Sequence, residues 1–105
     1  MNTRFIYMTS ASLEEAQRIG RTLVEESLVA CVNLMEGMQS IYRWEGEVCE
    51  AREVVIIAKT HADKVEALIA RVKELHSYEC PCIVVLPVLE GNPDYLKWIR
   101  CETEG

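Results

Sequence analysis

Ser40-Ile41-Tyr42-Arg43-Trp44-Glu45-Gly46-Glu47 decides the fold. A run rich in branched and aromatic residues meets a Glu-Gly pair, then resumes at once and continues from Glu47 to Thr60. A glycine between two such runs signals a β-hairpin. The hairpin lies mid-chain, between two stretches that each carry strand and helix signals. Residues 4–9 alternate weakly and read as a first strand. Ser12 with Glu15 three positions later forms a capping box. Behind it Leu13, Ala16, Ile19, Leu23, Val24 and Leu28 recur at helical spacing, which predicts an amphipathic helix over 13–27. Ala30-Cys31-Val32-Asn33-Leu34 reads as a strand that breaks at Gly37 before the hairpin. Beyond the hairpin, Thr60 and Asp63 cap a second helix whose apolar face is Val65, Leu68, Ile69, Val72 and Leu75. A last long strand, Ile83-Val84-Val85-Leu86-Pro87-Val88, precedes a short closing helix within Asn92 to Cys101.

The order is βαββαβ plus a C-terminal helix. This is an α+β, ferredoxin-like unit: an antiparallel sheet with two helices on one face, and one domain over residues 1–105. Helices on one face leave the other face wet, so the strands should alternate. Val54-Val55-Ile56-Ile57-Ala58 and Ile83-Val84-Val85-Leu86 do not. Both faces of these strands call for cover, and another copy of the chain is the natural source, which predicts a homo-oligomer.

Composition narrows the function. Half of the 105 residues are hydrophobic and 27% are charged, as in a globular domain. A net charge of -6 offers no basic footprint for a phosphate backbone, which argues against nucleic acid. No apolar stretch approaches bilayer length, and the start of the chain has no signal-peptide pattern. Five cysteines without disulfide spacing favour a reducing compartment, and so the cytoplasm.

The densest chemistry is His76-Ser77-Tyr78-Glu79-Cys80-Pro81-Cys82, where a helical pattern gives way to a strand. Imidazole and thiolate suit copper and zinc, so His76, Glu79, Cys80 and Cys82 are the candidate metal ligands. Residues two apart on a strand are roughly 7 Å apart. The two sulfurs must therefore lean together, to about 4 Å, to share one ion. The competing reading makes both thiols small buried hydrophobes, and His76 a residue that ends a helix. Glu53 and Lys59 bracket an apolar strand and are candidates for a ligand cleft, or else strand-end charges that aid solubility. Trp44 at the hairpin tip, with Tyr42, Tyr78, Tyr95 and Trp98, supplies candidate aromatic walls. His61, near a helix start, reads as a solvated surface residue; Cys31 reads as core, and Cys49 and Cys101 have no partner. No G-x-S-x-G, Gly-rich phosphate loop or H-E-x-x-H is present, which argues against an enzyme. A Cys31–His76 pair is the one nucleophilic arrangement left open.

Taken in order, these segments resemble the CutA divalent-cation-tolerance family over about residues 5–101. Ala30-Cys31-Val32-Asn33 is similar to the family's A-C-V-N strand, and Tyr42-Arg43-Trp44-Glu45-Gly46-Glu47 to its Y-x-W-x-G hairpin tip. The strand from Glu53 to Lys59-Thr60 follows in place. His76-Ser77-Tyr78-Glu79 with Pro81 is similar to H-x-Y-x-x-P, and Gly91 through Tyr95 and Trp98 to the G-x-x-x-Y-x-x-W ending. The resemblance implies a tight homotrimer built much like PII signalling proteins. It also implies a cytoplasmic role tied to copper and other divalent ions, with no organic cofactor, and a pocket role for Cys31. Some bacterial members bind copper through a first-strand Cys and a His-His pair; here those positions are Met8, Leu75 and His76. Met8 is a thioether donor suited to Cu(I), and Leu75 is inert. The resemblance implies residues other than thiols at Cys80 and Cys82 in most relatives.

Overall fold

The computed structural model describes residues 2–104. β1 (Thr3–Ser10) leads into α1 (Leu13–Glu25), and β2 (Cys31–Trp44) turns directly into β3 (Glu47–His61). A 3-10 turn (Ala62–Lys64) opens α2 (Val65–Leu75), followed by β4 (Ile83–Pro87) and α3 (Pro93–Thr103). The sheet order is β2-β3-β1-β4, and every neighbouring pair is antiparallel. This is the expected ferredoxin-like arrangement.

The capping signals act much as read. Ser12 Oγ accepts the Glu15 N–H at 3.1 Å, and Glu15 turns back to the Ala11 N–H at 3.1 Å. α1 stops two residues early because Ser27 adopts a left-handed φ of 58°. There the Leu28 N–H reaches Leu23 O at 2.9 Å and the Ser27 N–H reaches Val24 O at 3.0 Å, a Schellman closure. Two assignments change at α2. Thr60 does not cap it; its hydroxyl donates to Leu28 O at 2.8 Å and ties β3 to the end of α1. His61 caps the 3-10 turn that leads into α2, its Nδ1 accepting the Asp63 N–H at 3.4 Å, while the helix itself starts from Lys64 without a side-chain cap. Nor is His61 solvated: it is 6% exposed, on the side of the sheet that α3 partly covers.

α1 and α2 cover one face of the sheet. Ile6, Met8, Ile56 and Ala58 meet Ile19, Leu23, Leu68 and Val72 there, all fully buried. α3 lies on the opposite face, where Leu96 and Ile99 pack with Ala30 and Val88. It covers only part of that face. Val55 is buried, Phe5, Tyr7 and Ile57 are half-buried, and Val84 and Leu86 stay 48% exposed. The strands that fail to alternate therefore have one face covered by helices and the other only in part.

The Glu45-Gly46 turn is a two-residue loop between Trp44 and Glu47 with φ of 49° and 82°, the paired positive values of a type I′ hairpin. Gly37 does not break the strand as expected. Met35 pairs with Val55 and Met38 with Glu53, so Glu36 and Gly37 together oppose Val54. That is a β-bulge, and Gly37 at φ 82° supplies its left-handed step. The bulge inverts the parity of β2. Cys31, Asn33 and Met35 face away from α1 and α2, and beyond the bulge so do Met38, Ser40, Tyr42 and Trp44.

Nothing crowds a Cβ at Gly37, so substitution there tests the backbone alone. Gly37→Ala is expected to cost about 1–2 kcal/mol in urea unfolding, and Gly37→Asn less, since Asn tolerates the left-handed region. Equal stability of all three proteins would contradict the bulge.

Candidate functional site

A cleft of about 660 Å³ opens at the hairpin end of the sheet. Ser40, Tyr42 and Trp44 line it from β2, with Ile41 between them at its margin, Glu53 from β3, and Tyr7 and Thr9 from β1. Its remaining wall is the segment between α2 and β4, with Ser77, Tyr78, Glu79, Cys80 and Cys82. The hairpin can contribute its aromatic residues only because the bulge turns them to this side. Tyr7 is held by a hydroxyl–thioether contact of 3.3 Å with Met38 Sδ, on the first residue past the bulge.

Two buried groups hold the opposite wall. His76 is 9% exposed; its Nε2–H donates to Thr9 O at 2.7 Å and its Nδ1 accepts the Tyr78 N–H at 3.0 Å. Both ring nitrogens are engaged, so His76 positions the wall and has no lone pair free for an ion. Glu15 completes the fixing. One carboxylate oxygen takes the Ala11 N–H, and the other takes the Ser77 N–H at 2.8 Å. Burial alone would raise the Glu15 pKa. Hydrogen bonds from the Ser77 hydroxyl and from the Ala11 and Ser77 backbone outweigh it and hold the carboxyl below its usual value.

Inside the cleft the Tyr78 hydroxyl donates to Glu53 Oε2 at 2.7 Å. Burial, followed by that hydrogen bond and the Glu53 charge, pushes the Tyr78 pKa up, so the phenol stays a donor. Burial and the same carboxylate raise the Cys82 thiol. Cys80 is exposed at the mouth, and all five cysteines are free. Among the described residues no three His, Cys, Asp or Glu side chains converge as a ready-made metal cage.

The remaining candidates gather at the other end of β3. Lys59 lies six positions from Glu53 on the same face, about 20 Å away at strand rise. Its Nζ donates to Asn33 Oδ1 at 2.9 Å and stands 5.8 Å from the centre of the Tyr95 ring. Tyr95 stacks on Trp98 with ring centres 5.6 Å apart, and its hydroxyl meets Cys31 Sγ at 3.5 Å. That contact, with some burial, pushes the Tyr95 pKa up to about 12. Trp44 and Glu53 thus join the hairpin-end group, while Cys31, Lys59, Tyr95 and Trp98 form a second group. A Cys31–His76 pair does not form, since each has other partners. Sequence reading missed the second role of Glu15: the S-x-x-E signal marks it as a cap, but Ser77 is 62 residues away.

The chain and its fold have counterparts among known proteins. The family model for the CutA1 divalent ion tolerance protein matches residues 4–102. The chain belongs to that family. The divalent-cation tolerance protein CutA of Thermus thermophilus is 48% identical over 98 residues, covering 93% of this chain and 95% of the relative. Among solved structures, CutA from Xylella fastidiosa superposes with a TM-score of 0.96 at 38% identity, covering 99% of this chain and all of that one. A protein described as the periplasmic divalent cation tolerance protein CutA of Archaeoglobus fulgidus superposes at 0.94 with 41% identity, covering 97% and 99%. No helix among the described residues is long and apolar enough to cross a membrane.

The Glu15 clamp carries a pH signature. Its folded pKa lies below the unfolded value, so its stabilisation is complete above the unfolded pKa and is lost as pH falls through the folded one. Glu15→Gln is expected to lower stability at pH 7 and to flatten the acid limb of the stability curve below about pH 4.5. Parallel acid limbs for the two proteins would rule out the clamp as a titrating element.

Proposed function

We propose that this chain acts in divalent-ion tolerance by taking a thiophilic ion, copper first and zinc next, into the hairpin-end cleft of a homotrimer. The observation that carries the reading is the lining of that one cleft by both thiols, Cys80 and Cys82, and both carboxylates, Glu53 and Glu79. Thiolates select Cu(I) and zinc, and a carboxylate completes a borderline site. Family membership supports the role, since the relatives are named for divalent-cation tolerance. With His76 engaged by Thr9 and Tyr78, it acts in this reading as the residue that orients the Glu79–Cys82 wall. One chain supplies too few converging donors, and a neighbouring copy or water supplies the rest.

The homotrimer is supported by the partly covered sheet face, where Val84 and Leu86 lie half exposed beside Phe5 and Ile57. Free thiols suit a reducing compartment, and we place the protein in the cytoplasm. The role is binding, with no turnover. A second reading, a PII-like signalling or scaffold protein, is favoured by the other end of β3. Tyr95 and Trp98 stay 40% and 41% exposed there beside the Lys59 ammonium, a platform for a planar anionic ligand. A ligand at 100 times its Kd would raise stability by roughly 2.7 kcal/mol in a thermal-shift screen of metabolites.

Binding at Cys82 must displace the proton that burial and Glu53 retain, so uptake should strengthen as pH rises from 6 to about 8. Native mass spectrometry of the reduced protein is expected to show one copper or zinc ion per subunit. Loss of that ion in the Cys80→Ser/Cys82→Ser variant, with the fold intact by circular dichroism, is the matching result. Affinity no tighter than millimolar for Cu(I), Cu(II) and Zn(II) would remove the metal from this reading. Separately, Leu86→Glu should turn the trimer into smaller species by burying a charge on a dry face. A variant that stays fully trimeric would place the interface elsewhere.

A further inference from the structure

A second cavity, of about 430 Å³, lies on the side of α3 opposite Tyr95 and Trp98. Asn2, Thr3 and His61 form its sheet-side wall, and Pro93, Leu96, Lys97 and Arg100 of α3 form the other. His61 is 6% exposed and held in place, paired with Thr3 across the sheet and capping the turn into α2. Because Nδ1 accepts the Asp63 N–H, the neutral ring carries its proton on Nε2. That nitrogen is buried and has no hydrogen-bond partner among the described residues. A buried donor left without an acceptor loses its hydration with nothing in return, and such groups in native proteins have a reason.

The surroundings indicate what would satisfy it. Lys97 makes no ion pair among the described residues, and Arg100 has only a loose one, with Nε 4.0 Å from Glu104. The carboxylate nearest the ring, Asp63, stands 3.8 Å from Nδ1, on the other nitrogen. Pro93 and Leu96 add an apolar wall. We propose that this cavity is a binding site for a small organic anion. Its carboxylate or phosphate head accepts the His61 Nε2–H between Lys97 and Arg100, and its short apolar body rests on Pro93 and Leu96. The volume is within the range of small-molecule pockets. This site shares no residue with the hairpin-end cleft, so the two stand or fall separately.

The test is a titration of the intact protein with phenyl phosphate and with benzoate at constant ionic strength. The readout is the His61 ring in long-range proton–nitrogen NMR spectra. At least one of the two is expected to move the Nε2 resonance saturably, and the tighter of them assigns the head group. Lys97→Ala/Arg100→Ala, which alters two exposed side chains and spares the fold, should weaken that binding by about tenfold. Inorganic phosphate should bind more weakly than phenyl phosphate, and equal affinity would overturn the apolar contact. No saturable shift with either probe, as when ordinary water satisfies Nε2, would overturn the site. Unchanged affinity in the double variant would do the same.

Discussion

A single extra residue in β2 sets which side chains reach the hairpin-end cleft. Side chains along a strand alternate strictly, so a shift of one position moves every later residue to the opposite face. The Glu36-Gly37 bulge makes that shift once, between Met35 and Met38. Before it, odd-numbered residues share the face of Lys59; after it, even-numbered ones do. Without it, Gln39, Ile41 and Arg43 would take the places of Ser40, Tyr42 and Trp44. The left-handed step at Gly37 is thus the backbone requirement on which the aromatic wall rests.

The facing wall depends on a different kind of restraint. The segment from Ser77 to Cys82 belongs to no helix or strand, and its backbone donors would otherwise be left to solvent. His76 and Glu15 take up two of them and anchor the segment to β1 and to the start of α1. A carboxylate that accepts two backbone N–H groups at once is a stronger tie than a neutral pair. One side of the cleft is therefore fixed by chain geometry and the other by charge.

How much of this the sequence reveals follows the range of each interaction. The hairpin, the Ser12 cap, both amphipathic helices and the closing helix are legible because their signals are local: a turn pair, a cap spacing, a 3.6-residue period. Gly37 reads as a break because a bulge needs its partner strand to be recognised. His61 reads as solvated because the element that shelters it, α3, begins 32 residues later. Glu53 and Lys59, read together as candidates for one ligand cleft, share a face, yet the length of the strand between them assigns each to a different group. Cys80, Cys82 and Glu79 do share a cleft with Glu53, while the neighbours of His76 come from Thr9 and Tyr78 and no spacing rule announces the first of them.

The division of aromatic residues between the two ends of the sheet has an optical consequence. The chain holds two tryptophans, and one sits in each group. Trp44 stands at the tip of the hairpin beside Tyr42, and Trp98 is stacked on Tyr95 against α3. Intrinsic fluorescence is therefore a sum of two spatially separate signals. Replacing either indole with phenylalanine leaves the other as a private reporter of its own end.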